Sequence, residues 1–130
     1  SVRTKLALAR TALADGDLAL ARLRIADAWK SEPTKNQQAA LALLEADCLL
    51  GERRYAEAIF AYRQVAAKYP TDASGETAAF ALAQLLSERG SGDEARAALE
   101  SYLTNYPSGR FVREAQEKLH RQTEKRTLQP

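Results

Sequence analysis

Residues 55–70 read YAEAIFAYRQVAAKYP, an amphipathic run with a small residue at Ala58 and a proline at its end, Pro70. Both features recur at a fixed step of 37 residues, at Ala21, Ala58 and Ala95 and at Pro33, Pro70 and Pro107. A period of this length fits two helices and two turns, and units of that kind bury their apolar faces against one another. The sequence therefore predicts an elongated stack of units.

Each unit is predicted to be a pair of antiparallel helices, because its apolar residues recur at three- and four-residue steps on either side of a turn. Asp17 is a predicted N-cap, and Thr34-x-x-Gln37 and Ser91-x-x-Glu94 have the spacing of capping boxes. Glycines are predicted to end the first helices, at positions 16, 51 and 90. The resulting units are 2–33, 34–70 and 71–107.

A seventh helix, at 108–125, follows the third unit and has no helix to pair with. The last pair of such a stack leaves an apolar face open, and a helix with a polar outer side closes it. Beyond Glu124 the apolar period fades, so residues 126–130 are predicted to fray. The predicted fold is therefore all-α, with one domain at 1–125 made of three helix pairs and a capping helix.

Composition limits the classes of function. The 130 residues are 45% hydrophobic and 28% charged, with a net charge of +2 and both signs interspersed. Such a pattern gives no broad basic surface, so nucleic acid is not an expected partner. No run of 18 apolar residues occurs, so direct membrane insertion is not expected either. The chain starts at Ser1, which suggests a trimmed or processed product, so a missing signal peptide says nothing about compartment.

Few residues could carry catalysis. His120 is the only histidine and Cys48 the only cysteine, and they belong to helices of different units. A buried thiol and a solvent-facing imidazole explain both residues, which makes a Cys–His nucleophile pair the weaker interpretation. Gly90-Ser91-Gly92 follows a helix and lacks the lysine of a phosphate-binding loop. We therefore predict no enzyme, with no catalytic, metal or cofactor site.

The pattern resembles the tetratricopeptide repeat, a pair of antiparallel helices with a small residue at the start of the second helix and a proline at its end. The third unit matches this pattern through Ala79, Leu82, Ala83, Leu86, Gly90, Ala95, Leu99, Tyr102 and Pro107. The first unit matches it through Leu8, Ala9, Gly16, Ala21, Ile25, Ala28 and Pro33. The resemblance implies a right-handed α-solenoid whose first helices line a concave groove, and a non-catalytic role in binding a protein or peptide partner.

The second unit departs from the family pattern. Residues 51–55, GERRY, suggest a turn between its helices that is about two residues longer than the family's. We accordingly register its first helix on Gly51. With that register, the resemblance assigns the partner-binding groove to Arg3, Leu6, Arg10, Gln38, Leu41, Glu45, Thr77, Phe80, Gln84, Glu88, Glu117 and Arg121.

Under this register, Leu6, Leu41 and Phe80 occupy the same groove position in the three units. The asparagine and lysine set by which some members of the family clamp a C-terminal carboxylate is missing. The hypothesis is therefore that the groove takes a segment with apolar anchors. The alternative is that neighbouring helices cover these three side chains.

Two Tyr-Pro pairs, Tyr69-Pro70 and Tyr106-Pro107, extend the resemblance to tetratricopeptide domains of bacterial cell-envelope proteins. These include the periplasmic partner of the Tol system, the lipoprotein of the outer-membrane assembly machine and repeats attached to envelope-sensing sigma regulators. The resemblance favours the periplasm and a role in envelope assembly or signalling, with a cytoplasmic adaptor as the alternative. Self-association as a homo-oligomer, through the end face near Ser1, is the second interpretation of the repeat surface.

Overall fold

The structure, a computed structural model, describes residues 1–128, which form seven helices and no strand. The helices are α1 (Val2–Ala14), α2 (Leu18–Trp29), α3 (Lys35–Gly51), α4 (Tyr55–Lys68), α5 (Ala73–Arg89), α6 (Gly92–Asn105) and α7 (Val112–Leu128). They form the pairs α1/α2, α3/α4 and α5/α6, with α7 packed on the last pair. The predicted all-α stack of three helix pairs and a terminal helix is confirmed.

The first helices of the pairs form a continuous row, because α1 contacts α3, α3 contacts α5, and α5 contacts α7. Within residues 1–128 the backbones of the second helices, α2, α4 and α6, stay more than 8 Å apart between Cα atoms. Closer spacing on one side of a stack curves it toward that side. The first helices therefore lie on the inner face of the curve and the second helices on its outer face.

Three buried clusters hold the stack together, one at each junction. Two of them join consecutive pairs, and the third joins α5 and α6 to α7. Fully buried alanines recur in these clusters at 37-residue steps, at Ala9, Ala46 and Ala83 on the first helices and at Ala21, Ala58 and Ala95 on the second helices. A small side chain is needed where helices cross closely, so the period of the sequence is also the period of the packing.

The predicted helix starts are confirmed, with one difference. The Asp17 side chain caps α2 through a backbone hydrogen bond of 3.1 Å, and Thr34 and Gln37 form the complete capping box of α3. At α6 the Ser91 hydroxyl accepts from the N–H of Glu94, as predicted. The Glu94 carboxylate, however, meets the Ser91 hydroxyl at 3.2 Å instead of reaching the Ser91 N–H. The second hydrogen bond of this capping box, from the Ser91 N–H to the Glu94 side chain, is therefore replaced by a contact between the two side chains.

The turn inside the second unit is as long as the turn inside the first and one residue longer than the turn of the third unit, 90–91, so it does not shift the repeat register. Both turns have three residues, 15–17 and 52–54, and both carry the paired backbone hydrogen bonds of a Schellman motif. Gly16 and Arg53 occupy the left-handed position of the two turns, with φ of 79° and 61°. Gly51 is the last residue of α3, so the second unit keeps the 37-residue register throughout.

Arg53 carries a conformational cost that glycine would avoid. A side chain in the left-handed region costs about 1–2 kcal/mol, against about 0.5–1 kcal/mol for the greater freedom of glycine in the unfolded chain. We expect Arg53→Gly to raise the free energy of unfolding by about 0.5–1 kcal/mol in urea denaturation. The matched change Gly16→Arg should lower the free energy of unfolding by a similar amount. A Cβ at residue 16 would have nothing within 4 Å, so this cost would come from the backbone conformation and not from a clash. Unchanged stability in both variants would contradict this account.

Helix α7 is fixed to the last pair by aromatic and polar contacts. Phe111 stacks on Phe80 of α5, with ring centroids 4.7 Å apart. Oε2 of Glu76 accepts from the Tyr102 hydroxyl at 2.7 Å and from the Arg110 N–H at 2.8 Å. The Tyr102 oxygen in turn accepts from the Phe111 N–H at 2.9 Å. These bonds order the turn that leads into α7.

The Tyr-Pro pairs stand at the ends of α4 and α6, and they link the two turns. Tyr69 is buried in the core, whereas the Tyr106 hydroxyl donates to the Pro70 carbonyl at 2.7 Å. Helix α7 follows Tyr106-Pro107 and continues to Leu128, three residues past the predicted end of the capping helix at 125. Residues 126–128 of the predicted frayed tail thus lie in α7. Residues 129–130 of that tail lie outside the described residues.

Burial, together with the bond to Glu76, raises the pKa of Tyr102 to about 12. An ordinary tyrosine titrates near pH 10, so the folded protein holds this proton more tightly than the unfolded chain. The contribution to stability is complete below about pH 10 and is lost as the pH rises toward about 12. We expect the free energy of unfolding to fall over that interval, and to fall less in Tyr102→Phe than in Tyr55→Phe, a tyrosine outside this network. Parallel pH profiles for the two variants would contradict the assignment.

Candidate functional site

The three apolar residues predicted to anchor a partner are core residues. Leu6 and Phe80 are each 5% exposed and Leu41 is fully buried. Leu6 and Leu41 pack at the junction of the first two pairs, and Phe80 packs against α7. Neighbouring helices cover all three side chains, which leaves them no surface for a peptide. The hypothesis that a partner segment uses these three residues as apolar anchors is therefore wrong, and the alternative, that neighbouring helices cover them, is confirmed.

The register of the second unit explains why Leu41 differs from the other two. Leu6 and Phe80 face the unit that follows them, whereas Leu41 faces the pair that precedes it. Leu43 lies 37 residues from both Leu6 and Phe80, and it packs against the cluster shared with α5, the following unit. Leu43 is therefore the counterpart of these residues, two positions beyond the one that Gly51 would select.

The same shift applies to the polar residues predicted for the second unit. Gln38 donates through Nε2 to a backbone carbonyl of the α2–α3 turn at 3.1 Å, and Glu45 accepts from the ring N–H of Trp29. Both side chains are thus engaged in packing toward the first pair. The 37-residue step assigns Ala40 and Asp47 to the inner face instead.

Most of the remaining predicted residues are on the surface. Thr77 is half-buried, donates to the Ala73 carbonyl and accepts from Arg110. The exposed ones are Arg3, Arg10, Gln84, Glu88, Glu117 and Arg121. Whether these side chains bind a partner stays a prediction.

One set of four side chains crosses the whole inner face. Arg10, Asp47, Gln84 and Arg121 lie at successive 37-residue steps on α1, α3, α5 and α7. Equivalent positions of stacked units lie side by side, so these residues form a line across the four first helices. We call this line the inner row. Three of its members, Arg10, Gln84 and Arg121, are predicted from the sequence, whereas Asp47 is not.

Asp47 is the residue of the inner row with the most unusual environment. It is half-buried, and its Oδ1 accepts from the Tyr62 hydroxyl at 2.6 Å. Burial raises the pKa of this carboxyl, and burial beside Asp47 also raises the pKa of the Tyr62 hydroxyl. Within residues 1–128, no hydrogen bond reaches the second oxygen, Oδ2. A partly desolvated carboxylate with spare acceptor capacity favours a donor from another molecule.

A cavity of about 260 Å³ opens beside the inner row, between α3 and α5. Its lining is apolar at Leu50, Ala81 and Leu85, and polar at Gln84 and Glu88. Leu50 is 36% exposed, unlike the buried residues predicted as anchors. This cavity therefore offers an apolar contact on the inner face.

Cys48 and His120 do not form a pair. Cys48 is buried between the first two pairs, and burial raises the pKa of its thiol. His120 is exposed on α7, where its Nε2 lies 2.9 Å from a carboxylate oxygen of Glu124. Helices α3 and α7 are not in contact over the described range. Residues 1–128 contain no group of three or more His, Cys, Asp or Glu that could hold a metal ion.

These features define a repeat solenoid with an open inner face, and the family comparison agrees. The model of the Tetratricopeptide repeat matches residues 49–119, more than half of the chain. The chain belongs to the tetratricopeptide repeat family, whose repeats are in general protein–protein interaction modules and typically non-catalytic. The first pair lies outside the matched range but shares its packing positions. No curated protein and no solved structure matches the chain. No helix within residues 1–128 combines the length and apolar character needed to cross a membrane.

Proposed function

We propose that the inner face binds a polypeptide segment of a partner protein, by contacts to the inner row and to the cavity between α3 and α5. The observation that carries the proposal is the position of Asp47, a half-buried carboxylate with one unused oxygen, in the line of residues that passes this cavity. A segment lying across α3 and α5 would place an apolar side chain on Leu50 and a donor on Asp47. The binding would be non-catalytic.

The charges of the inner face indicate what such a segment carries. Arg10 and Arg121 stand at the two ends of the inner row, while Asp47 and Glu88 lie near its middle. Complementary charge suppresses wrong partners and fixes register more than it adds affinity. The matching segment has a basic residue near its centre, a small apolar side chain beside it, and acidic residues toward its ends.

Peptide selection on the intact protein tests the proposal. Peptides selected by display on the wild-type protein would be titrated calorimetrically into Asp47→Asn, Glu88→Lys and an outer-face control, Glu100→Lys. We expect the two inner-face changes to weaken binding about tenfold or more, and the control to leave the affinity unchanged. Asparagine still accepts from Tyr62, so Asp47→Asn removes charge without removing the internal bond. Peptides that bind all three variants as tightly as the wild type would place the binding site elsewhere.

We also propose that the module acts in the periplasm of a bacterium, as part of an envelope assembly or signalling protein. The support is the resemblance of the two Tyr-Pro segments to envelope tetratricopeptide domains. Fractionation of cells expressing the full-length protein tests this, with the periplasmic fraction as the expected location. Recovery from the cytoplasm would favour the cytoplasmic adaptor instead.

A further inference from the structure

A polar pocket lies at the edge of the last junction, where the turn between α5 and α6 meets the C-terminal half of α7. Its volume is about 310 Å³, near the lower end of the range for small-molecule sites, roughly 300–1,000 Å³. Residues 90–92 and the first turn of α6 form one side of the pocket, and Gln122, Lys125 and Arg126 form the other. None of its residues belongs to the inner row or to the cavity between α3 and α5.

The preceding unit shows why this pocket is open. Gly92 lies 37 residues after Tyr55, whose ring stands at the start of α4 beneath the guanidinium of Arg89, 4.2 Å from the ring centroid. Arg126 lies 37 residues after Arg89, but the ring that it would cover is replaced by a glycine. The pocket therefore opens where the preceding unit carries a tyrosine side chain.

Glycine at this position also leaves the backbone at the start of α6 accessible. The Ser91 hydroxyl accepts from the N–H of Glu94, whereas the N–H groups of Gly92 and Asp93 have no hydrogen-bond partner within residues 1–128. Free N–H groups at the start of a helix attract anions, because the helix dipole places partial positive charge there. Without a side chain at residue 92, a ligand can approach this backbone closely.

Gln122 points to a ligand independently of the helix end. It is only 8% exposed, yet its amide makes no hydrogen bond within residues 1–128. Its Oε1 lies 3.5 Å from the position that a Cβ on Gly92 would occupy, so the amide is directed at the start of α6. No fully inaccessible side-chain N or O atom in the described residues lacks a partner, so the amide must retain access to the pocket.

A polar residue is unusual at this repeat position. Helices α3 and α5 carry Cys48 and Leu85 there, and both are buried among apolar side chains. A buried amide without a partner costs free energy that an apolar residue would avoid, and a ligand that bonds the amide would recover this cost. Rotation about the last side-chain bond exchanges the amide oxygen and nitrogen, so Gln122 can donate to an anion.

The charge of the pocket is positive. Arg96 is bound to the carboxylate of Asp93, so these two side chains neutralise each other. Lys125 and Arg126 line the same pocket and have no ion-pair partner within the described part of the chain. They place two uncompensated positive charges beside the free N–H groups of α6. This charge matches a phosphate dianion better than a single carboxylate.

We propose that this pocket binds a phosphate group, either as the free ion or as part of a small molecule. The phosphate oxygens would accept from the free N–H groups of α6, from the Gln122 amide, and from Lys125 and Arg126. The lysine that residues 90–92 lack as a phosphate-binding loop is thus supplied by α7. The site is independent of the inner face, so it would remain if the inner face bound no polypeptide.

NMR titration of the isotope-labelled protein with inorganic phosphate, at fixed pH and ionic strength, tests the proposal. The amide signals of Gly92 and Asp93 should shift and reach saturation. Sulfate should bind comparably, whereas acetate should bind about tenfold more weakly or less, because it carries one charge. Glycerol phosphate distinguishes the two sources of the group. Tighter binding than inorganic phosphate would indicate a phosphorylated small molecule, and equal or weaker binding would indicate the free ion.

Three variants test the groups that hold the phosphate. Gln122→Leu gives α7 the residue that α5 carries at this position, and Arg126→Gln removes one charge; each should weaken binding about tenfold or more. Gly92→Tyr restores the side chain of the preceding unit and should abolish binding. Arg113→Gln is the matched control, because it removes the same charge from the exposed start of α7 and should leave the affinity unchanged. Arg126 is exposed, so its variant keeps the test valid if Gln122→Leu or Gly92→Tyr fails to fold.

Four results would overturn the proposal. The first is an absence of saturable shifts at the start of α6 when phosphate is added. The second is acetate binding as tight as that of phosphate. The third is wild-type affinity in Arg126→Gln, or in a folded Gln122→Leu or Gly92→Tyr protein. The fourth is an equal loss of affinity in Arg113→Gln, which would indicate general attraction to the positive charge of α7 instead of binding in this pocket.

Discussion

Gly75→Ala is expected to lower the free energy of unfolding by at least about 3 kcal/mol. A Cβ at residue 75 would lie 1.7 Å from the backbone oxygen of Tyr69 and 2.6 Å from its carbonyl carbon. Both atoms belong to the main chain, so no side-chain rotation can relieve the overlap. The start of α5 would have to move away from the turn that precedes it, and the buried contacts of α5 with α4 would loosen.

The length of the turn explains why glycine is needed at this position. Four residues, 69–72, connect α4 to α5, whereas five connect α2 to α3 and six connect α6 to α7. The α4–α5 connection is the shortest of the three that follow a helix pair, and it brings the first turn of α5 against the end of α4. Gln38, the counterpart of Gly75 in the preceding unit, follows a longer turn and carries a full side chain.

Urea denaturation of Gly75→Ala and Gly92→Ala would measure this effect. Gly92 is also in the first turn of a helix, α6, but a Cβ there meets only the Gln122 side chain, at 3.5 Å, which is ordinary contact. Alanine at residue 92 should be neutral or slightly stabilising, because it restricts the unfolded chain. Equal stability of Gly75→Ala and the wild type would mean that α5 does not approach the turn so closely.

Phe80→Ala is expected to cost about 3–5 kcal/mol, the range found when a buried phenylalanine is truncated. Phe80 lies between Phe111, with ring centroids 4.7 Å apart, and Tyr102, with centroids 5.7 Å apart. The cavity would open at the junction with α7, so α7 should be the first element to detach. Amide hydrogen exchange should therefore show the greatest loss of protection in residues 112–128.

The matched control for this change is Phe60→Ala. Phe60 is exposed, so its loss should change the stability of the monomer by no more than about 0.5 kcal/mol. A Phe80→Ala protein of wild-type stability with weakened peptide binding would contradict the placement of Phe80 in the core. That outcome would restore it as an anchor of the inner face.

The seven helices and their stacking could be predicted from the sequence, because residues at equivalent positions make the same packing contacts at each junction. Ala21, Ala58 and Ala95 allow close crossings in all three pairs, and a fixed step of 37 residues reveals them without any coordinates. The caps at Asp17 and Thr34 depend on residues close in sequence, so they too could be predicted.

The candidate site was predicted less well, for two physical reasons. The left-handed turn residue of the second unit is Arg53, not a glycine, so a register based on Gly51 is displaced by two positions. Strict use of the 37-residue step would have led to Asp47. The burial of Phe80, by contrast, depends on Phe111 beyond the third unit, a contact that no pattern within one repeat contains.

One repeat position of α7 differs in chemistry from the equivalent positions of the other first helices. Leu6, Leu43 and Phe80 each present an apolar side chain toward the following unit, and the next residue at the same step is Glu117, which is exposed. A carboxylate at that position does not provide an apolar surface against which another helix could pack. At this repeat position, α7 therefore presents a charged surface where α1, α3 and α5 present apolar side chains.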